Sequence, residues 1–190
     1  MAQANQVRII GGRHRGRHLH FAPVPGLRPT PDRVRETLFN WLQGEVHGSR
    51  CLDLYAGSGA LGLEALSRGA GALCAVEHNR AAAARLRENL VLLGEDARAE
   101  VVTDEVMRYL GRAPSAPFDI VFADPPFADS VLPALCHRLE QGGWLGARAW
   151  IYLEQDAKRP WELPPDAWTV HREGVAGQSG YRLLRRNSAG

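Results

Sequence analysis

RCLDLYAGSGALG, Arg50 to Gly62, decides how the rest of the chain is read. An apolar run leads straight into Gly57, Gly59 and Gly62, spaced G-x-G-x-x-G, and a helix-forming stretch follows at once. Strand, glycine turn and helix in that order open a nucleotide-binding βαβ unit, because glycine lets the backbone turn sharply and approach a ligand. Glu77 closes the next apolar run, 20 positions after Gly57, where a carboxylate can accept from ribose hydroxyls. By itself the fingerprint leaves a nicotinamide dinucleotide, S-adenosylmethionine and a purely structural turn all open. Two acids favour the sulfonium cofactor. Asp53, at the end of the first strand, can meet a cationic amino group, and Asp104, after the third strand, can hold the amino group of adenine or instead cap a helix.

Outward from that unit, strands and helices alternate. ALCAVE reads as a strand, the stretch from Asn79 as a helix with Leu86, Leu90 and Leu93 facing inward, AEVVT as a strand, Asp104 to Gly111 as a short helix, FDIVFAD as a strand and Val131 to Glu140 as a helix. Such alternation predicts a parallel sheet wound with helices. The tail differs: WLGARAWIYLEQ, AWTVHREG and GYRLLRR are three strand candidates whose joints hold proline and glycine but no helix, which predicts an antiparallel finish. Upstream, QVRIIGG and RGRHLHF form a plausible hairpin and APVPGLRP a linker. Thr30 is expected to cap a helix with Pro31 at its first position and Val34, Leu38, Trp41 and Leu42 along one apolar face. The expected division is a basic N-terminal extension over 1–27 and a catalytic domain over 28–190.

ADPPF, Ala123 to Phe127, ends the fourth predicted strand of that series in an unusual way. A carboxylate is followed by two residues with no N–H to donate. Exocyclic amines of nucleobases are weak nucleophiles, since the nitrogen lone pair is delocalised into the ring, so an enzyme that alkylates one must align it and accept its hydrogens. Asp124 supplies a carboxylate, Pro125 and Pro126 supply carbonyls on a backbone of fixed φ, and Phe127 supplies a stacking face worth about 1–3 kcal/mol. Strand ends carrying the glycine loop and ADPPF should be neighbours at the switch point of the sheet, and alignment there can remove about 7–11 kcal/mol of barrier. The alternative is a rigid strand-to-helix turn with Asp124 as its cap.

Composition narrows the class. At 190 residues and 45% hydrophobic, the chain suits one domain with a full core, and its apolar runs are of strand length. The opening MAQANQVRII has no apolar signal region, so a cytoplasmic protein is expected. Cys51, Cys74 and Cys136 are odd in number and set among apolar neighbours, as small core residues are. Net charge is +2, unevenly spread: residues 1–36 carry +5 and the remainder −3. Arg13, Arg15, Arg17, Arg28, Arg33 and Arg35 lie in the basic block, which suits contacts to a polyanion or else a solvated hairpin. His14, His18 and His20 are expected on the same surface and not at a metal.

The chain resembles, nearly end to end, the bacterial RsmD-type 16S ribosomal RNA guanine-N2 methyltransferases. RIIGG near the start, LRPTPDRVRETLFNWL at 27–42, LDLYAGSGALGLEALSRGA at 52–70, the ADPPF block and VAGQ before the last strand carry the likeness. It implies a class I methyltransferase fold, Rossmann-like, with seven mostly parallel strands, the last antiparallel, and S-adenosyl-L-methionine as methyl donor to N2 of one guanine. Asp53, Tyr55, Ala56, Gly57, Ser58, Gly59, Glu77, His78, Asp104 and Asp124 would then form the cofactor site. The target guanine would fall to Asp124, Pro125, Pro126 and Phe127, and the RNA to the hairpin and RPTPDRVRE, including Arg28, Thr30, Arg33 and Arg35. The implied partner is 16S rRNA in a largely assembled 30S subunit, met by a monomer without metal or membrane. Rival readings are a methyltransferase of the same class acting on adenine N6 or a glutamine amide, a nicotinamide-dependent oxidoreductase, and a silent ribosome-assembly factor. The oxidoreductase lacks a Tyr-x-x-x-Lys pair and leaves ADPPF idle.

Overall fold

The computed structural model describes residues 5–187 except 129 and 165. A hairpin of β1 (Gln6–Arg8) and β2 (His18–His20) opens the chain, with Val7 opposite Leu19. Helix α1 (Asp32–Trp41) follows. The main sheet then builds from β3 (Arg50–Leu54), α2 (Ala60–Ser67), β4 (Ala72–Val76), α3 (Arg80–Leu93), β5 (Ala99–Val102), α4 (Val106–Tyr109), β6 (Phe118–Ala123), α5 (Leu132–Gln141), β7 (Leu145–Asp156), β8 (Trp168–Ala176) and β9 (Ser179–Arg186). Strand order is β5-β4-β3-β6-β7-β9-β8, and β9 alone runs antiparallel to its neighbours. Among described residues no helix is long and apolar enough to cross a membrane.

Helices cover both faces of this sheet because each strand alternates its side chains between them. Ile120 and Phe122 face the core shared with Val34 and Leu38 of α1, Leu63 of α2 and Leu86 and Leu90 of α3. Val121 and Ala123 face the second core, against Val106 of α4 and Leu135 and Leu139 of α5. The hairpin does not stand apart: Val7, Ile9, Leu19 and Phe21 belong to the first core. All three cysteines are buried and free.

Two local expectations are corrected. Helix α1 begins at Asp32 behind Pro31, with no side-chain cap; the Thr30 carbonyl instead accepts from the Arg35 guanidinium at 3.0 Å, so Arg35 closes this end. Asp104 caps nothing either, because α4 starts two residues later, behind Glu105, and the Asp104 carboxylate is bridged to Arg108 and Arg112. Asn79 does cap α3, its side chain accepting from the amides of Ala81 and Ala82, both at 3.0 Å.

Candidate active site

Strand order reverses between β3 and β6, which leave the sheet side by side in parallel with Leu54 opposite Ala123. Ligands of open α/β sheets bind at such a point, beyond the carboxyl ends of the strands. The glycine loop and ADPPF therefore emerge as neighbours.

The loop is held from below. Gly57 N–H donates to Glu77 Oε2 at 2.8 Å and Asn79 N–H to Glu77 Oε1 at 2.7 Å, so the acid just past β4 fixes the loop while keeping lone pairs for another donor. Gly59 takes φ +79° and a Cβ there would come within 2.4 Å of Leu86, so neither the turn nor the packing admits a side chain. Tyr55 also takes a positive φ, 62°, an uncommon conformation for a residue with a Cβ. Ala56 and Ser58 are buried within the loop, and His78 is exposed with Nδ1 3.3 Å from Glu77. Asp104 is 7% exposed and tied to two arginines, so its oxygens are already engaged next to where adenine is expected. The hydrogen bond from Arg108, ahead of opposing burial, holds its carboxyl below the usual range.

Asp53 is buried, and its Oδ2 accepts from Gly62 N–H at 2.9 Å. Burial pushes its carboxyl up to about 7; the Gly62 hydrogen bond opposes this and the nearby Glu77 charge adds to it. Asp124 is half-buried and, among described residues, its side chain makes no hydrogen bond or ion pair. Burial first, then the charges of Glu154 and Asp53, raise its carboxyl well above the ordinary range. Helix α5 begins only at Leu132 behind Val131, so Asp124 is not a helix cap. Pro125 is buried, Pro126 is exposed, and Phe127 is 36% exposed beside a cavity of about 230 Å³ reached by Gln155, Arg159 and Pro160.

Sequence reasoning missed Glu154. It sits on β7 one residue past Leu153, which pairs with Ala123, and so beside Asp124 on the same face. An acid within the apolar run WIYLEQ was the available signal.

On the hairpin side, Arg13, Arg15, Arg17, Arg28 and Arg33 are exposed. Arg35 is not: it is 1% exposed, and its guanidinium bonds to the Thr30 and Arg8 carbonyls, Asp32 and Glu64. Expected to face RNA, it instead ties α1 to the hairpin and α2, since a buried cation is held only by enclosing acceptors. Thr30, 8% exposed, belongs to the same joint. His14 also departs from expectation: it is buried, with Nε2 2.7 Å from Glu95 Oε1, while His18 and His20 remain exposed.

A doubly wound sheet with one antiparallel strand, a glycine loop at the switch point and an acid-proline-proline step on the adjoining strand define a class I S-adenosylmethionine-dependent methyltransferase fold. Comparison with known proteins agrees. The family model described as "Conserved hypothetical protein 95" matches residues 7–185, and the chain belongs to that family. It is 47% identical over 187 residues to "Ribosomal RNA small subunit methyltransferase D" of Escherichia coli (strain K12), covering 98% of this chain and 93% of that protein. It is 42% identical to the protein of the same name from Haemophilus influenzae, over 95% of this chain and 94% of the relative. The solved structure of yhhF from Escherichia coli superposes with a TM-score of 0.86 at 48% identity, over 97% of this chain and 99% of the other.

Proposed function

We propose that this protein transfers a methyl group from S-adenosylmethionine to the exocyclic N2 of one guanine in the 16S rRNA of the small ribosomal subunit. The observation that carries this reading is Asp124 with its two prolines, free of any protein donor among described residues, at the carboxyl end of β6 beside the glycine loop on β3. The relatives named small-subunit rRNA methyltransferases supply the substrate class.

The residues present fit the cofactor. Its bound form supplies an electrophilic methyl on a sulfonium and a cationic ammonium, and the site offers the ammonium Asp53, which has no ion pair among described residues. Glu77 retains acceptor capacity for ribose hydroxyls, and the loop from Tyr55 to Gly59 forms the floor. Asp124 and the Pro125 carbonyl accept the two N–H groups of the amine, which turns the nitrogen toward the methyl, and Phe127 stacks on the flipped base. The exposed arginines of the hairpin and α1 hold phosphates. In this reading the enzyme works as a monomer in the cytoplasm on an assembled or nearly assembled 30S subunit.

Incubation with radiolabelled S-adenosylmethionine and unmethylated small subunits, followed by nucleoside analysis, is expected to yield N2-methylguanosine. Labelled N6-methyladenosine in its place would move the target to adenine, and label in protein would move it off RNA.

A further inference from the structure

Three carboxylates from adjacent strands converge at the carboxyl edge of the sheet: Asp53 of β3, Asp124 after β6 and Glu154 of β7. The Leu54–Ala123 and Ala123–Leu153 pairings bring the strand ends together, and alternation places all three side chains on the face shared by Phe122 and Tyr152. Among described residues none of the three has an ion pair with a lysine, arginine or histidine. Glu154 is 5% exposed yet fully oriented: Tyr152 O–H donates to its Oε1 at 2.7 Å and Ser179 O–H to its Oε2 at 2.8 Å. A buried acid placed with this care against a second acid is costly unless the repulsion is used.

We propose that Glu154 is a positioning residue of the methyl-transfer site, acting through Asp124, and that the Asp124–Glu154 pair receives the proton the target amine releases. The inference rests on the reading of Asp124 given above. The amine nitrogen forms its bond to the methyl carbon as the carbon–sulfur bond breaks and that electron pair stays on sulfur. Nitrogen then carries the positive charge and a surplus hydrogen. An Asp124 oxygen takes this proton, and the neighbouring Glu154 charge makes it the better acceptor. The other ionisable groups facing the pair are Asp53 of β3, with Glu77 just past β4 behind it, Tyr152 of β7 and Tyr181 of β9. None brings a cation to neutralise the two acids.

Burial and Glu154 raise the Asp124 carboxyl in the folded state, so the folded protein binds its proton more tightly than the unfolded chain does. That stabilisation is present in acid and lost as pH rises through the raised folded value. Cofactor-free protein is therefore expected to lose stability as pH rises above the ordinary carboxylate range, in a way that Asp124→Asn and Glu154→Gln each relieve, with the double variant gaining less than the two singles combined. In turnover, Glu154→Gln should move the acid limb of the pH profile down by about one unit and lower the plateau by about tenfold or more, with KM for RNA unchanged. Glu154→Asp, which keeps the charge, should retain the wild-type limb.

An acid limb of Glu154→Gln that coincides with wild type, additive melting shifts, or a Glu154→Asp limb displaced equally would each overturn the pairing. Should Glu154→Gln not fold, wild-type and Asp124→Asn melts with the same pH dependence would overturn it instead. If Asp124→Ala itself keeps normal turnover, the reading of Asp124 fails first, and the melting cycle still reports on the pair.

Discussion

Two regions of this molecule bury acids in opposite ways. Beneath the hairpin, Glu64 is fully buried and accepts from the amides of Ile10 and Gly11 and from the guanidinium groups of Arg35 and Arg68. Nearby Glu95 is likewise enclosed by His14 and Arg98; burial opposes its ionisation, but those hydrogen bonds overcome it and its carboxyl sits below the usual range. At the carboxyl edge of the sheet, Asp53, Asp124 and Glu154 meet no cation among described residues, and burial raises all three. Acids that have their own cations fasten the N-terminal hairpin to the catalytic fold. Acids without them keep their protons to higher pH, because burial penalises the anion and no cation offsets it.

The sharpest way to break this contrast is to remove one acid from each region. Asp124→Ala should lower turnover by about 10²–10⁴-fold while retaining cofactor binding and fold, measured by methyl incorporation beside a cofactor titration. Turnover within twofold of wild type would exclude Asp124 from the chemistry. Glu64→Ala should do the reverse: it strands part of the charge on Arg35 and should cost about 3–5 kcal/mol of stability, read from urea unfolding. A loss under about 1 kcal/mol would show that Asp32 and the carbonyls suffice to hold Arg35.

A smaller effect tests the unpaired acids by pH. With the Asp53 carboxyl raised to about 7, the group is largely neutral in mild acid and charged above neutrality. If its anion meets the ammonium of S-adenosylhomocysteine, affinity should rise by about tenfold per unit up to pH 7 and then level off, as calorimetry at pH 6 and 8 can show. A flat profile would separate Asp53 from the ammonium. The smallest change concerns the exposed cations. Replacing Arg13, Arg15 and Arg17 with alanine should leave stability intact and flatten the salt dependence of RNA binding by about 0.7–0.9 in slope for each phosphate no longer neutralised. An unaltered slope would leave the hairpin as a solvated surface.

Much of the architecture was legible because it is written in local pattern. Apolar runs of strand length, helical repeats at Leu86, Leu90 and Leu93, and the glycine spacing after Leu54 each report on a few consecutive residues, and the strands and long helices fall where they indicate. Element ends were less legible: Thr30 and Asp104 look like caps, yet arginines along the chain claim their oxygens. The candidate site was half legible. Asp124, Pro125 and Phe127 are conspicuous as a motif, whereas Glu154 becomes a site residue only because β7 lies beside β6 in a particular register.

From its sequence alone this protein determined its fold class, the place of its glycine loop and the acid-proline-proline step, since periodicity and motif spacing are properties of short segments. Tertiary structure alone decided which charges are spoken for. Arg35 meets Glu64 across 29 positions and His14 meets Glu95 across 81, while Glu154 stands next to Asp124 with no cation between them among described residues. Pairing of buried charges depends on which segments the packed core brings within a few ångströms, and no local pattern encodes that distance.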